Sequence, residues 1–200
     1  MLNNFLASLP FMTETRADML ISAFWPMVKA GFAVSLPLAI ASFVIGMIIA
    51  VAVALVRIMP SGGIFQKCLL KLVEFYISVI RGTPLLVQLV IVFYGLPSVG
   101  IYIDPIPAAI IGFSLNVGAY ASETIRAAIL SVPKGQWEAG FSIGMTYMQT
   151  FRRIIAPQAF RVAVPTLSNE FIGLFKNTSL AAVVTVTELF RVAQETANRT

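Results

Sequence analysis

Twenty-seven consecutive residues, Ala30 to Val56, contain no charged side chain, and this run decides what the chain can fold into. Two more charge-free runs follow, 22 residues from Gly82 to Ile103 and 18 from Pro105 to Ser122. A helix needs about 20 residues to cross the hydrocarbon layer of a bilayer. A fourth segment, 162–187, is long enough but carries Glu170 and Lys176. With 58% hydrophobic and 12% charged residues, the chain lies far from soluble composition, where about a quarter of residues are charged. Four spans in 200 residues leave too little chain for a second folded domain. The sequence therefore predicts an all-α integral membrane protein: a single membrane domain over 30–200, preceded by an external or interfacial segment 1–29. Spans are expected at about 30–56, 82–98, 106–129 and 162–187.

The basic residues give the orientation. The linker 57–81 holds Arg57, Lys67, Lys71 and Arg81 against Glu74, and the linker 131–161 holds Lys134, Arg152, Arg153 and Arg161 against Glu138. Each carries a net charge of +3, whereas the connection at 97–107 carries only Asp104 and residues 1–29 balance to zero. By the positive-inside rule both basic linkers are cytoplasmic, and the N-terminus and the Pro97–Pro107 loop are outside. The span from about 162 then runs outward and leaves Glu188 to Thr200 on the outer side. This distribution also accounts for the net charge of +5 without a nucleic-acid partner.

Several chemistries are excluded. The chain has no histidine and one cysteine, Cys68, so the commonest general base is missing and no internal disulfide or thiolate cluster can form. No catalytic set and no metal site are expected. A phosphate-binding G-x-x-x-x-G-K-[ST] loop is absent, so nucleotide hydrolysis would have to occur on another chain. An intramembrane enzyme is disfavoured on these grounds, while a channel without ATP coupling remains an alternative reading.

Polar residues within the spans cost roughly 2.5 to 3.5 kcal/mol each if exposed to lipid, so they should face protein or water. Lys176 and Glu170 both fall inside the fourth span, in the polar neighbourhood of Asn169, Asn177, Thr178 and Ser179. This stretch reads either as the lining of a substrate path, with Lys176 holding a carboxylate, or as a structural ion pair with a neighbouring helix. Asn116 and Tyr120 share a stripe free to face a cavity. Glu123 and Arg126, three apart on a helix, can neutralise one another and read as structural. Ser114, Gly118 and Ser122 recur every four residues and allow close helix approach. At Arg81-Gly82-Thr83-Pro84 the chain passes from linker to span, Thr83 suited to cap the new helix and Pro84 to its first turn.

The linker 131–161 carries its own helix signals. Trp137, Phe141 and Met145 form one apolar stripe, Gly144 suits a left-handed helix end, and Thr146 with Gln149 is a capping box starting a second helix that Pro157 should end. Spacing alone allows either a helix pair resting on anionic lipid or one docked into another protein.

Glu138-Ala139-Gly140, three residues, Gly144, nine residues and Ile154-Ile155-Ala156-Pro157 resemble the cytoplasmic EAA loop of ABC importer permeases, E-A-A-x3-G-x9-I-x-L-P. Gly140 replaces the third family residue and Ala156 the leucine. Further likeness lies in FYISVIRGTPLLVQL (75–89), NVGAYASETIRAAI (116–129), KGQWEAGFSIG (134–144) and NEFIGLFKNTSL (169–180). Over roughly 30–195 the chain is similar to permeases of polar amino-acid importers, most of all to the cystine type, through Asp104-Pro105-Ile106-Pro107 and Lys134 to Ala139. The resemblance implies a type I ABC importer transmembrane domain, MetI-like, in the bacterial inner membrane. It also implies pairing with a second permease subunit, ABC ATPase subunits beneath that carry ATP and Mg, and a periplasmic or lipid-anchored binding protein that delivers the amino acid. Cystine is the expected substrate, with glutamine, arginine, histidine or glutamate as alternatives. On this reading Trp137, Glu138, Ala139, Gly140, Phe141, Gly144 and Met145 couple to the ATPase, and Asn116, Tyr120, Asn169, Lys176, Thr178 and Ser179 line the pathway. Arg81, Thr83, Pro84, Glu123, Arg126 and Glu170 are structural or charged positions within the membrane. Such permeases have five crossings, so a fifth helix is expected after residue 200.

Overall fold

The computed structural model describes residues 13–58 and 63–198. Most of the expected external segment's first half, residues 1–12, lies outside the described residues, as do the turn residues Met59 to Gly62 and Arg199 of the tail. The described residues are almost all helical, joined by short turns.

Helix α1 (Glu14–Ala30) continues through a π turn (Gly31–Ser35) into α2 (Leu36–Ile58). From Ala17 to Ile58 this helix is 42 residues long and apolar enough to cross a membrane. The expected change near residue 30, from a surface segment to a span, is thus not a break. The widened turn is closed by the Leu36 N–H donating to the Gly31 carbonyl, and small Gly31 and Ser35 are buried there. At about 1.5 Å per residue the helix is roughly twice the hydrocarbon thickness, so its charged N-terminal turns need not enter lipid.

Helix α3 (Ile64–Gly82) is followed by α4 (Leu85–Val90), a π turn (Ile91–Gly95) and a 3₁₀ turn (Leu96–Val99). The axis of α3 meets that of 85–99 at 109°. Thr83 makes the corner, its backbone extended at φ −120°, ψ 145°, because a residue before proline is pushed out of the helical region. The expected roles of this corner are shifted by one element. Thr83 closes α3, donating from Oγ1 to the Val79 carbonyl at 2.8 Å, and Pro84 is the N-cap of α4, not part of its first turn.

Helix α5 (Pro105–Ser131) forms the axis of the molecule and packs along α2, with α8 and α3 against its other sides. The seam with α2 is built from small residues. A Cβ on Gly118 would stand 2.7 Å from Ile49 Cγ2, and one on Gly46 2.6 Å from Val117. The Ser114 hydroxyl donates to the Ser42 carbonyl at 3.2 Å. The small-residue stripe is therefore helix packing within the chain, and it surrounds a core of Leu38, Ala39, Ala50, Leu89, Phe113 and Val117.

Beyond α5 come α6 (Lys134–Ser142), α7 (Tyr147–Thr150), a π turn (Phe151–Ile155), α8 (Ala156–Asn177), a 3₁₀ turn (Thr178–Val184) and α9 (Leu189–Ala197). Pro157 does not end the second loop helix as expected. The chain stays helical from Tyr147 to Asn177, because the wide π turn ahead of Ala156 takes up the geometry and Pro157, lacking an N–H, sits in the first turn of α8. The expected fourth span, 162–187, accordingly starts earlier as α-helix and ends at Asn177. The 3₁₀ turn closes at Thr185, whose φ is 65°. Helix α9 is capped by Glu188, whose carboxylate accepts the Phe190 and Arg191 N–H groups at 2.8 Å, and it packs on α1.

By length and apolarity, Ala17–Ile58 is a crossing helix by itself and Ile64–Gly82 with Leu85–Val99 forms a bent second candidate. Helices α5 and α8 are 27 and 22 residues long, sufficient to cross, but they carry polar side chains. Those polar groups converge on one another.

Candidate functional site: a polar cavity and a cytoplasmic helix pair

The corner at Thr83–Pro84 leaves a gap against α5 and α8. Thr83, Pro84 and Leu85 line one side of it, Asn116, Val117 and Tyr120 of α5 a second, and Glu170, Gly173, Leu174 and Asn177 of α8 a third, enclosing about 330 Å³. The α8 residues lie at i, i+3, i+4 and i+7, one helix face. Non-helical backbone at membrane depth is tolerated where it lines such a cavity.

One hydrogen-bonded chain holds the walls in place. Gln88 Nε2 donates to the Ile80 carbonyl at 2.7 Å and to the carbonyl and Oγ1 of Thr83 at 3.0 Å, tying α4 back to α3 across the corner. Asn116 Nδ2 then donates to Gln88 Oε1 at 3.1 Å, joining α5 to the corner. On the opposite wall Thr124 Oγ1 donates to Glu170 Oε1 at 2.6 Å, whereas Glu170 Oε2 is buried with no hydrogen-bond partner.

Of the residues expected along the pathway, Asn116 and Tyr120 line this cavity. Asn169 and Lys176 are exposed and outside it. Lys176 makes no ion pair among the described residues. Thr178 is buried and donates to the Phe175 carbonyl at 2.7 Å, and Ser179 donates to the Lys176 carbonyl at 2.9 Å, so both hydroxyls serve the end of α8. Glu170, expected to be structural, supplies the cavity's carboxylate. Asn177, of the polar stretch read from the sequence, lines the cavity, whereas Gln88, which ties the corner to α5, is not among the expected residues although it is a polar side chain inside a charge-free run.

Glu123 gathers three cations on the far side of Tyr120. It is hydrogen-bonded to Arg57 of α2 and, at 3.1 Å, to Arg126, and lies 3.8 Å from Arg81 of α3. Arg81 also stands over the Tyr120 ring, 5.3 Å from its centroid. The expected Glu123–Arg126 pair is thus the local part of a cluster that ties together α2, α3 and α5.

In the cytoplasmic pair, Trp137 stacks on Tyr147 at 4.9 Å between ring centroids and lies 6.4 Å from Phe151, clamping α6 to α7. Met145 is half-buried, but Phe141 is 47% exposed, so the apolar stripe is only partly turned inward. Gly144 has φ 80°, a conformation that favours glycine, and ends the α6 turn. The capping box forms in full, Thr146 N–H donating to Gln149 Oε1 at 2.9 Å and Gln149 N–H to Thr146 Oγ1 at 3.3 Å. Gly140 is buried against Thr150, and a Cβ there would stand 2.5 Å from Thr150 Cγ2, which explains glycine in place of alanine. Glu138 and Ala139 face solvent. Helix α7 is continuous with α8, so the cavity wall bearing Glu170 and the second helix of the cytoplasmic pair belong to one helical run from Tyr147 to Asn177.

Comparison with known proteins gives this geometry a family. Residues 59–200 match the model of the binding-protein-dependent transport system inner membrane component. The L-cystine transport system permease protein TcyB of Bacillus subtilis (strain 168) is 53% identical over 197 residues, covering 96% of this chain and 81% of that protein. A crystal structure of an amino acid ABC transporter with histidines superposes with a TM-score of 0.79 at 35% identity, over 87% of this chain and 79% of that one. The inward-facing MetNI methionine ABC transporter shares the fold, with a TM-score of 0.61 at 23% identity over 92% and 82% of the two chains. The chain has the MetI-like fold of type I importer permeases and belongs to the family of binding-protein-dependent transport system inner membrane components.

Proposed function

We propose that the chain is the permease subunit of an ATP-driven importer that carries a polar amino acid, L-cystine foremost, into the cytoplasm. The observation that carries this reading is the cavity between α5, α8 and the Thr83–Pro84 corner, which is lined by Asn116 and Tyr120 on one side and Glu170 and Asn177 on another, a set of polar side chains suited to a zwitterion. The likeness to an L-cystine permease supports the substrate. Glutamine, arginine, histidine and glutamate remain the second reading, supported by the likeness to an amino acid transporter crystallised with histidines.

ATP and Mg act on separate ATPase subunits, which receive the exposed surface of α6 with Glu138, Ala139 and Phe141. Closure of the ATPases moves α6, and the continuous helix 147–177 carries that movement to the wall bearing Glu170. A binding protein delivers substrate from outside, and a second permease subunit completes the path. The N-terminus and α9 lie on the outer side, a topology supported by the packing of α9 on α1.

Uptake of labelled L-cystine in cells expressing the whole transporter, competed by a panel of amino acids, tests the substrate. L-cystine is expected to compete best. Stronger competition by arginine or glutamine overturns the cystine assignment, and loss of ATP dependence overturns the importer reading. Lys176→Met is expected to leave substrate affinity unchanged, because that side chain lies outside the cavity.

A further inference from the structure

Helix α3 has three distinct faces. Leu69, Leu70, Val73, Tyr76, Ile77 and Ile80 turn toward the bundle and are buried or half-buried. Tyr76 donates from its hydroxyl to the Leu115 carbonyl of α5 at 2.6 Å, fixing that face. Roughly 130° around the helix, Ile64, Phe65, Cys68, Leu72, Phe75 and Val79 form an exposed apolar stripe about 100° wide. Phe65 is 80% exposed and Phe75 68%. Between these two faces runs a polar edge of Lys67, Lys71, Glu74 and Ser78, all exposed.

The direction of the helix completes the picture. The segment 85–99 packs beside α5, and α3 meets it at 109°, so α3 turns sharply away from that segment. It crosses α5 near Leu115 and Gly118 and ends beside the Glu123 cluster, in the half of the bundle that leads to α6. A helix turned sharply from the segment that follows it, with one protein face, one exposed apolar face and one lysine edge, has the anatomy of an interfacial helix.

We propose that α3 lies in the cytoplasmic leaflet as an interfacial amphipathic helix, its Phe65–Leu72–Phe75 face in acyl chains and Lys67 and Lys71 against anionic lipid headgroups. The occupant of the bare face is anionic phospholipid. The lysine edge is the reason: an opposing protein face would have to bury or pair these cations, whereas a headgroup layer supplies anions at the level where the apolar face ends. The leaflet rests on the orientation proposed above, but the lipid contact itself does not.

Cys68 lies in the centre of the apolar stripe and is the only cysteine of the chain, so it can carry a nitroxide without any substitution here. The transporter, assembled with partner subunits whose own cysteines are replaced, is placed in nanodiscs of phosphatidylcholine with increasing phosphatidylglycerol. The label is expected to be more accessible to oxygen than to a nickel chelate, at a depth of roughly 5–10 Å below the headgroups. It should move deeper as phosphatidylglycerol rises, and Lys67→Gln with Lys71→Gln should abolish that shift while leaving uptake of substrate measurable. Water-like accessibility overturns the proposal, as does dipolar broadening from a second label, which would place another copy on this face. A depth that ignores phosphatidylglycerol removes the anionic headgroup. Label depth is blind to which leaflet is occupied, so an error in orientation would appear instead as labelling of Lys134→Cys by an impermeant thiol reagent added to intact cells.

Discussion

The α2–α5 seam and the cytoplasmic helix pair are both tight, but for different reasons. Along the seam, backbones approach through Gly46 and Gly118, and almost every contact is lost if a side chain is enlarged. In the helix pair, large rings do the holding, with Trp137 stacked on Tyr147 while Glu138, Phe141 and Ile143 remain exposed. The seam is buried on all sides and fixes one arrangement. The pair is clamped by its own rings but has one side bare. It joins the bundle at two ends, from α5 through Val132 and Pro133 and into α8 through the helix from Tyr147, with Trp137 and Phe151 packed on the end of α5. This is the division expected of a part that must hold its shape and a part that must move as a unit when pushed.

The largest effect should come from filling the seam. Gly118→Leu forces a branched side chain into Ile49 and the Tyr76 hydroxyl, and is expected to cost about 3 kcal/mol or more, seen as loss of folded protein in detergent by fluorescence-detected chromatography. Retention of the wild-type melting temperature would show that the seam is looser than described. Gly144→Val comes next, at about 2 kcal/mol, because a β-branched residue is strained at φ 80°. Here the expected loss is in transport-stimulated ATP hydrolysis, with the bundle still folded; normal coupling would separate Gly144 from the docking surface.

Glu170→Gln removes the carboxylate from the cavity without changing its shape. Uptake is expected to fall about tenfold, a difference of about 1.4 kcal/mol, with assembly intact by co-purification of the ATPase. Unchanged uptake would make Glu170 merely a partner of Thr124. The smallest effect is expected from Thr146→Ala, which deletes the capping box and about 1 kcal/mol of local stability. Faster amide exchange confined to 146–150 would confirm the cap, whereas spread into α5 would mean that pair and seam are one unit.

The parts of this molecule set by local rules were readable in advance. The spacing of Ser114, Gly118 and Ser122 announces a close helix contact, Thr146 with Gln149 announces a helix start, and Gly144 announces a left-handed turn. Misreadings occurred where a local signal met a longer continuity. Pro157 stops an isolated helix, but a preceding π turn lets it sit in the first turn of α8. Thr83 and Pro84 look like the start of a span, yet the extended backbone before proline makes Thr83 the end of α3. The cavity is half legible in the sequence: Asn116 and Tyr120 share the stripe that lines it, whereas Glu170 also lines it and Lys176, open between a substrate contact and an ion pair, lies outside it. Neighbouring residues on a helix point about 100° apart, and sequence cannot say which of those directions meets another wall.

What the sequence determined by itself is the solvent and the class: charge-free runs of this length demand a bilayer and helices, because backbone groups in lipid must be satisfied within the segment. It also determined the family, since the motif from Glu138 to Pro157 is local. Tertiary structure alone decided that the corner at Thr83, the face of α8 bearing Glu170 and the face of α5 bearing Asn116 enclose a common cavity, and that α3 keeps an apolar face for something outside the chain. Both depend on helix rotation and crossing, which are set by side chains meeting across residues far apart in sequence, and no periodicity within a single helix encodes them.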